Sequence, residues 1–431
     1  MNLTIKQAVF ISILFFLLGQ NLSAQPTKSF DEYLALAYAN NPTVKENVNL
    51  QKIGLLQNQL LKAQYQKPQI NFTTDYLFAP FFHSNGHPID ITSTPSEKAF
   101  GYDGGVTNGG LYSAMVNVSA QLFNGKAMKV LQNQNLLFNK SLDITKQQVL
   151  HDLDKNVSDQ YIAAYQTQLQ LNYLQKIISL IGDRKKIISA LVEKGLMQQN
   201  DYLLLEIELN NRQYDLQQQH VAFITAIGQL NSLCGIADTN SYNLAAPLIN
   251  QNSPVSEFTY QKKFAADSMS VSVQRQVFNT KYTPQLSVFG NAGVNAADAR
   301  NIPHNFGLSA GLHLNVPIYD GGQKKTFAQQ NQLLVQNLQQ YRDFNAMQLL
   351  NARSSIVQQI SATQQSISIL ENQLRNQETL LQIIKEKLVL GQVSAMDYVN
   401  SIQDYAVANQ NKIQAQASLW LLINQYNYIN W

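Results

Sequence analysis

Between residues 126 and 194 the chain contains no proline and only one glycine, Gly182. A stretch that long without a breaker is one continuous helix if its apolar residues keep a helical period. They do. Leu142, Val149, Leu153, Val157, Ala164, Leu171, Leu174, Ile178, Ile181, Ile188 and Val192 fall on a heptad-like stripe. A second stretch repeats the pattern. Ile356, Ile360, Thr363, Ile367, Leu370, Leu374, Gln377, Leu381, Ile384 and Leu388 alternate steps of four and three. Sustained spacing near 3.5 is the signature of a coiled coil. Each helix is expected to run roughly 65–70 residues, or roughly 100 Å at about 1.5 Å per residue. Helices of ordinary globular domains run about 8–20 residues.

The two stretches belong to copies of one unit. Leu122-Phe123-Asn124-Gly125 is matched by Ile318-Tyr319-Asp320-Gly321, 196 positions on. At the same offset Gly195 maps to Gly391, and Asp201-Tyr202 to Asp397-Tyr398. Pro68-Gln69-Ile70 maps to Pro284-Gln285-Leu286 at an offset of 216, which places an insertion of 20 residues between Phe81 and Leu111 of the first copy. Ordered landmarks with one length change indicate a tandem duplication. The first copy, 25–240, is read as a helix, a strand pair within 69–122, a long helix 126–194 and a returning helix 200–233. The second, 241–431, is read as a helix, a strand pair within 285–318, a long helix 322–390 and a returning helix 396–429.

The strands are read from alternation. Ile70, Phe72, Tyr76 and Phe78 are apolar, against Gln69, Asn71, Thr73 and Asp75. Tyr112, Ala114, Val116, Val118, Ala120 and Leu122 oppose Ser113, Asn117, Ser119 and Gln121. Leu286, Val288, Ala292 and Val294 oppose Gln285, Ser287, Asn291 and Asn295. Phe306, Leu308, Ala310, Leu312, Leu314, Val316 and Ile318 oppose Ser309, His313 and Asn315. Strands of about 9–11 residues cross a membrane when tilted. The small polar face suits a water-filled lumen. Four strands cannot close a barrel, since the smallest have about eight, and open edges are not tolerated in lipid. The strands are therefore expected to be shared between subunits. Two chains would supply eight and three would supply twelve.

The N-terminus agrees with a periplasmic, secreted or β-barrel fate. Lys6 is the only charged residue among the first 24, the run from Ala8 to Leu18 is apolar, and Ser23-Ala24 supplies small residues. That is a cleaved signal peptide, 1–24. The apolar run is well short of the roughly 20 residues a transmembrane anchor needs, and no Cys follows it to take a lipid. Cys234 is the only cysteine, so no disulfide framework exists. Net charge is +3, or +2 without Lys6, which gives no electrostatic case for nucleic acid.

Strand hairpin, very long helix, glycine turn and returning helix, twice over after a signal peptide, resembles the TolC-like outer-membrane efflux proteins. Phe30-Asp31-Glu32-Tyr33 through Ala39-Asn40-Asn41-Pro42 is similar to the family's opening helix. Phe123-Asn124-Gly125 and Tyr319-Asp320-Gly321-Gly322 resemble its strand-to-helix junctions. Gly195 through Tyr202 and Gly391 through Tyr398 resemble its periplasmic helix turns. No second Asn-Pro opening stands between Val255 and Lys281, so the opening helix of the second copy is expected to be degenerate or shorter. The resemblance implies a mainly α fold with a small β part: a homotrimer whose twelve-stranded barrel continues into an α-helical coiled-coil tunnel. It implies an outer-membrane location reaching into the periplasm, with outer-membrane lipid, a periplasmic adaptor (membrane fusion) protein and an inner-membrane pump as partners. The function it implies is a passive exit duct of an efflux or secretion system, with no enzymatic activity and no cofactor.

Catalytic and metal-binding motifs are weak. His83 and His87 are four apart, but Gly86 and Pro88 make a loop of that segment. Gly101–Gly110 lacks the Lys-Ser/Thr of a phosphate loop and reads as a surface loop. Cys234 has no readable partner. The helix turns carry more. Gly195 and Gly391 stand where long helices must stop, and Ser394 with Asp397 fits a capping box. Asp201 and Asp397, repeated around a trimer, would also ring a mouth with carboxylates and favour cations. Leu196, Val393 and Ser394 lie beside them, as candidate contacts for an adaptor. Arg184-Lys185-Lys186, about ten residues from the first turn, reads as a solvated helix face, or as an adaptor contact. Trp431 matches the terminal aromatic of single-chain barrels, but residues 396–429 read as helix. Two rivals remain: a single-chain porin, which needs many more strands, and a periplasmic or secreted coiled-coil scaffold, which needs no amphipathic strands.

Overall fold

The computed structural model describes residues 27–83, 90–92, 99–100, 110–238, 242–256, 258–297 and 299–431. The expected signal peptide, His87 and residues 101–109 lie outside the described residues. The chain divides into two compact units. One comprises Met1–Asn47, Thr145–Thr259 and Asp343–Trp431; the other comprises Val48–Ile144 and Tyr260–Arg342.

In chain order the elements are β1 (Thr27–Lys28), α1 (Phe30–Asn40), α2 (Pro42–Gln66), β2 (Gln69–Phe78), β3 (Phe81–His83), β4 (Asp90–Thr92), β5 (Ala99–Phe100) and β6 (Gly110–Leu122). Then come α3 (Gly125–Glu193), α4 (Gln199–Leu233), β7 (Asn243–Leu244), α5 (Thr259–Thr280), β8 (Gln285–Ala296), β9 (Phe306–Asn315), α6 (Gln323–Val389) and α7 (Ala395–Ile429), with a 3-10 turn at Ala299–His304. α3 is 69 residues long and α6 is 67.

The helix starts follow from local chemistry. At α1 the Ser29 hydroxyl accepts from the Glu32 amide (3.3 Å) and Glu32 accepts from the Ser29 amide (2.9 Å), a reciprocal capping box. α2 follows at once because Pro42 cannot continue α1 but fits a first helical position. Asn41 accepts from the amides of Thr43 (2.9 Å) and Val44 (3.3 Å) and so caps the new helix.

In the first unit, Tyr33 and Ala37 of α1 pack with Val157 and Tyr161 of α3 and Leu230 of α4, all fully buried. β1 and β7 pair in parallel beside this core. Gln168 of α3 stands in for a third strand: its carboxamide accepts from the Leu244 amide (2.7 Å) and donates to the Leu244 carbonyl (3.0 Å). The Tyr161 hydroxyl donates to the carbonyl of Ala245 (2.7 Å). Asn427 and Asn430, one turn apart on α7 and at its C-cap, tie down the extended segment before α5. Asn427 bonds Asn250 and Asn252, and Asn430 bonds Ser253 and Val255. Trp431 stacks on His151 with ring centroids 4.2 Å apart, outside any strand.

Cys234 is fully buried at the end of α4, and burial pushes its thiol up to about 11. Only the thiolate reacts. Maleimide labelling at pH 8 should therefore be negligible in the folded protein and complete in denaturant; labelling of the folded protein within minutes would contradict this packing.

The second unit holds a four-stranded sheet of order β2-β6-β8-β9, antiparallel throughout. Helices flank it. Asn135 of α3 donates to the Gly54 carbonyl of α2 at 2.8 Å, and Phe278 of α5 stacks on Phe327 of α6 at 4.1 Å. Two expectations need correction here. The last strand ends at Asn315, not at 318, because Asn315 pairs with Gln285, the first residue of β8, and Pro317 lacks an N–H to donate. The insertion after Phe81, expected as loop, contains a small sheet of order β4-β3-β5. Its strands of two or three residues are too short to show a period. The opening helix of the second half, α5, has 22 residues, against 11 and 25 for α1 and α2.

Candidate functional site

The register of the large sheet fixes its two faces. Residues directly opposite one another share a face. One row reads Phe72–Val116–Ala292–Leu308, the next Ile70–Val118–Gly290–Ala310, and shorter rows read Ala120–Val288–Leu312 and Leu122–Leu286–Leu314. This face is apolar across all four strands, and much of it is bare: Phe72 is 69% exposed and Leu308 79%. The opposite face carries the row Asn71–Asn117–Asn291–Ser309, where the Asn117 side-chain carboxamide donates to the Thr73 hydroxyl (2.8 Å). This face is not wholly polar, since it also holds Met115, Leu77, Leu111 and Phe289, whose ring lies over Gly311, its register partner. β2 and β9 each have one neighbour. Among the described residues the sheet therefore ends on two open edges with unpaired backbone donors and acceptors, a template for another chain.

The helix turns form a second candidate site, in the other unit. Gly195 and Gly391 adopt φ of +70° and +68°, which only glycine takes without strain. The Gly195 amide donates to the Val192 carbonyl (2.8 Å) and the Leu196 amide to that of Leu191 (2.9 Å). Gly391 and Gln392 bond Leu388 (3.1 Å) and Lys387 (3.0 Å) in the same pattern. Both long helices thus end on one Schellman geometry. The restarts differ. Before α7 the Ser394 hydroxyl accepts from the Asp397 amide (3.2 Å), while the Ser394 amide and hydroxyl donate to the Asp397 carboxylate (3.0 and 2.7 Å). The Ser394 hydroxyl, with the Ser394 amide, holds the exposed Asp397 carboxyl below its usual range. Before α4 the Gln198 amide donates to Asp201 at 3.3 Å, with no cap from the Gln198 side chain to the first turn. Asp201 is half-buried.

Both turns sit on one apolar cluster drawn from four helices. Ile177, Ile181 and Ile188 of α3, Leu205 of α4, Leu381 and Leu388 of α6, and Tyr398 and Ile402 of α7 are its buried members. Val393 and Met197 pack against it. Leu196, the other candidate contact, is 68% exposed. Arg184 departs from the solvated face expected for Arg184-Lys185-Lys186: it is buried and bonds the Tyr398 hydroxyl. Lys185 pairs with Glu206 (3.0 Å), and only Lys186 is well exposed. Sequence reasoning also missed buried Glu208, which accepts from Arg212 (2.8 Å) and from Gln403 of α7 (3.0 Å). The Glu208–Arg212 spacing of four was a readable sign; the Gln403 contact had none.

Among the described residues no cluster of three metal-ligating side chains is found, and no helix is long and apolar enough to cross a membrane. No family model matches the chain, and no curated protein does. Solved structures match over nearly the whole length. The CusC channel aligns with a TM-score of 0.70 at 11% identity, covering 94% of this chain and 92% of that one. The CmeC outer-membrane channel of Campylobacter jejuni gives 0.68 at 12% identity, covering 93% and 85%. The MtrE outer-membrane channel of Neisseria gonorrhoeae, in an open state, gives 0.68 at 12%, covering 93% and 88%. At such identities it is the architecture that is shared. The chain has the fold of the TolC-like outer-membrane channels.

Proposed function

We propose that three copies of this chain form a passive outer-membrane channel of an efflux or secretion system. The carrying observation is the four-stranded sheet with one continuous apolar face and two open edges. Such a sheet cannot stand alone in lipid. Edge-to-edge pairing of three copies would give twelve strands, with the apolar rows toward lipid and the Asn71–Asn117–Asn291–Ser309 row toward water. A cleaved signal at 1–24 would deliver the chain to the periplasm, and a duplicated ancestor would account for two matching helical hairpins. A periplasmic adaptor and an inner-membrane pump are the partners that would drive solutes through it. The scaffold alternative leaves the apolar face without a purpose.

Planar-bilayer recording tests this directly. The purified, detergent-dependent protein should produce discrete single-channel steps. A chain that extracts in buffer and gives no steps would be a scaffold. We further propose that Asp201 and Asp397 set ion preference at the helix turns, with Gly195, Leu196, Gly391, Val393 and Ser394 as adaptor contacts. Asp201→Asn with Asp397→Asn should lower cation selectivity at preserved assembly. Unchanged selectivity and conductance would leave the two aspartates as helix caps only.

A further inference from the structure

The junction between β9 and α6 carries a charge pattern that capping does not use. Asp320 is fully engaged: its carboxylate accepts from the amides of Gly322 (2.9 Å) and Lys324 (2.8 Å), and the Tyr282 hydroxyl bonds it as well. Arg275, Lys324 and Lys325 share its cleft, and Lys281 precedes Tyr282 in sequence, all four exposed. Among the described residues none of these four has an ion-pair partner. Arg275, Lys324 and Lys325 line the cleft of about 580 Å³ with Tyr282, Tyr319 and the engaged Asp320 carboxylate, so the three cations outnumber the one acid. The Lys324 ammonium lies 5.6 Å from the Tyr282 ring centroid.

Directly beside this cleft the surface turns apolar. Ile318 is 96% exposed and Tyr319 88%, and they follow shortly after β9, whose Leu312 and Leu314 belong to the apolar rows. The first junction has a parallel arrangement. Phe123 is 88% exposed and held at φ +56°, a left-handed conformation that a bulky side chain adopts at a cost. Lys126 and Lys129 follow it, both exposed. An apolar band, then aromatics, then unpaired cations is the order of chemistry met on leaving a bilayer core through its headgroups.

We propose that the cleft of Arg275, Lys324 and Lys325 binds the phosphodiester of an anionic phospholipid, with Ile318 and Tyr319 against its acyl chains. The inference rests on the membrane reading above, because the cleft needs lipid beside the strands. A phosphodiester offers one negative charge and acceptor oxygens to three side chains that only donate. Zwitterionic lipid carries its own cation and gains less. Each basic residue near an anionic lipid surface is worth about 1 kcal/mol, or about fivefold, so three give roughly a hundredfold.

Native mass spectrometry of the full protein in detergent, titrated with phosphatidylglycerol or phosphatidylcholine, tests the site. The wild type should hold phosphatidylglycerol at least tenfold more tightly. Arg275→Gln with Lys324→Gln and Lys325→Gln should abolish that preference, whereas Lys324→Arg with Lys325→Arg should keep it. A control with Lys186→Gln, Lys385→Gln and Lys387→Gln should behave as wild type. Equal affinity for the two lipids in the wild type overturns the proposal, even if the triple variant does not fold. An undiminished preference in a folded triple variant overturns it too. Displacement by inorganic phosphate as effective as by unlabelled phosphatidylglycerol would make it a free-phosphate site and overturn the lipid assignment. Wild type that stays in solution without detergent sinks the membrane reading itself; detergent dependence without lipid preference sinks this site alone.

Discussion

Leu308→Arg should destabilise the membrane-inserted protein by about 2–4 kcal/mol, the cost of a cation on the lipid face near the bilayer midplane. Leu308 shares a row with Phe72, Val116 and Ala292, which lies near the middle of β2, β6 and β8. The adjacent variant Ser309→Arg is the control. Ser309 belongs to the opposite row, with Asn71, Asn117 and Asn291, and water on that side would leave the guanidinium solvated. Successive strand residues face opposite ways, so one step along β9 should separate a severe effect from a mild one. Denaturant titration of protein folded into phospholipid vesicles reads both. Similar costs at the two positions would mean that the apolar face does not meet lipid.

Gly293→Ala should be the most damaging glycine-to-alanine change inside the sheet. Gly293 has φ +156° and pairs with Met115. A Cβ there would lie 2.2 Å from the Ala114 carbonyl oxygen and 2.7 Å from the Met115 Cα. Both are backbone atoms of β6 and cannot rotate away, so β6 and β8 must separate. Backbone strain of about 1–3 kcal/mol and overpacking of about 1–3 kcal/mol combine to roughly 3 kcal/mol or more. Gly307, in the same row on β9, has open space where a Cβ would stand, with nothing within 4 Å, so Gly307→Ala should be tolerated. Thermal unfolding in detergent should show a large drop for the first and little for the second.

Much of the architecture was legible because it rests on period. The long helices carry a stripe near 3.5, and the four long strands alternate over ten or more residues, so their parity predicts which side chains share a face. Short elements were not legible: β3, β4 and β5 have too few residues to alternate. Side-chain carpentry was invisible as well. Gln168 acting as a strand, and Asn427 with Asn430 holding residues 250–255, depend on partners far away in sequence. Arg184 was misread for a related reason. Its neighbours Lys185 and Lys186 made a charged run, but helical rotation turns the first of three consecutive residues toward Tyr398 and the apolar cluster. At the turns, Gly195, Gly391 and the Ser394–Asp397 cap followed from local chemistry, whereas the burial of Glu208 did not.

Whether the sheet closes by sharing strands between chains is decided by the mass of the intact assembly in detergent. Native mass spectrometry should give three copies of the processed chain, held together until denatured. Under the proposed edge pairing the barrel and the assembly would be one object, so Gly293→Ala should lower the yield of the trimer as well as its melting temperature. A folded, conducting species with the mass of a single chain would contradict strand sharing, because its four long strands would have had to close a barrel by themselves.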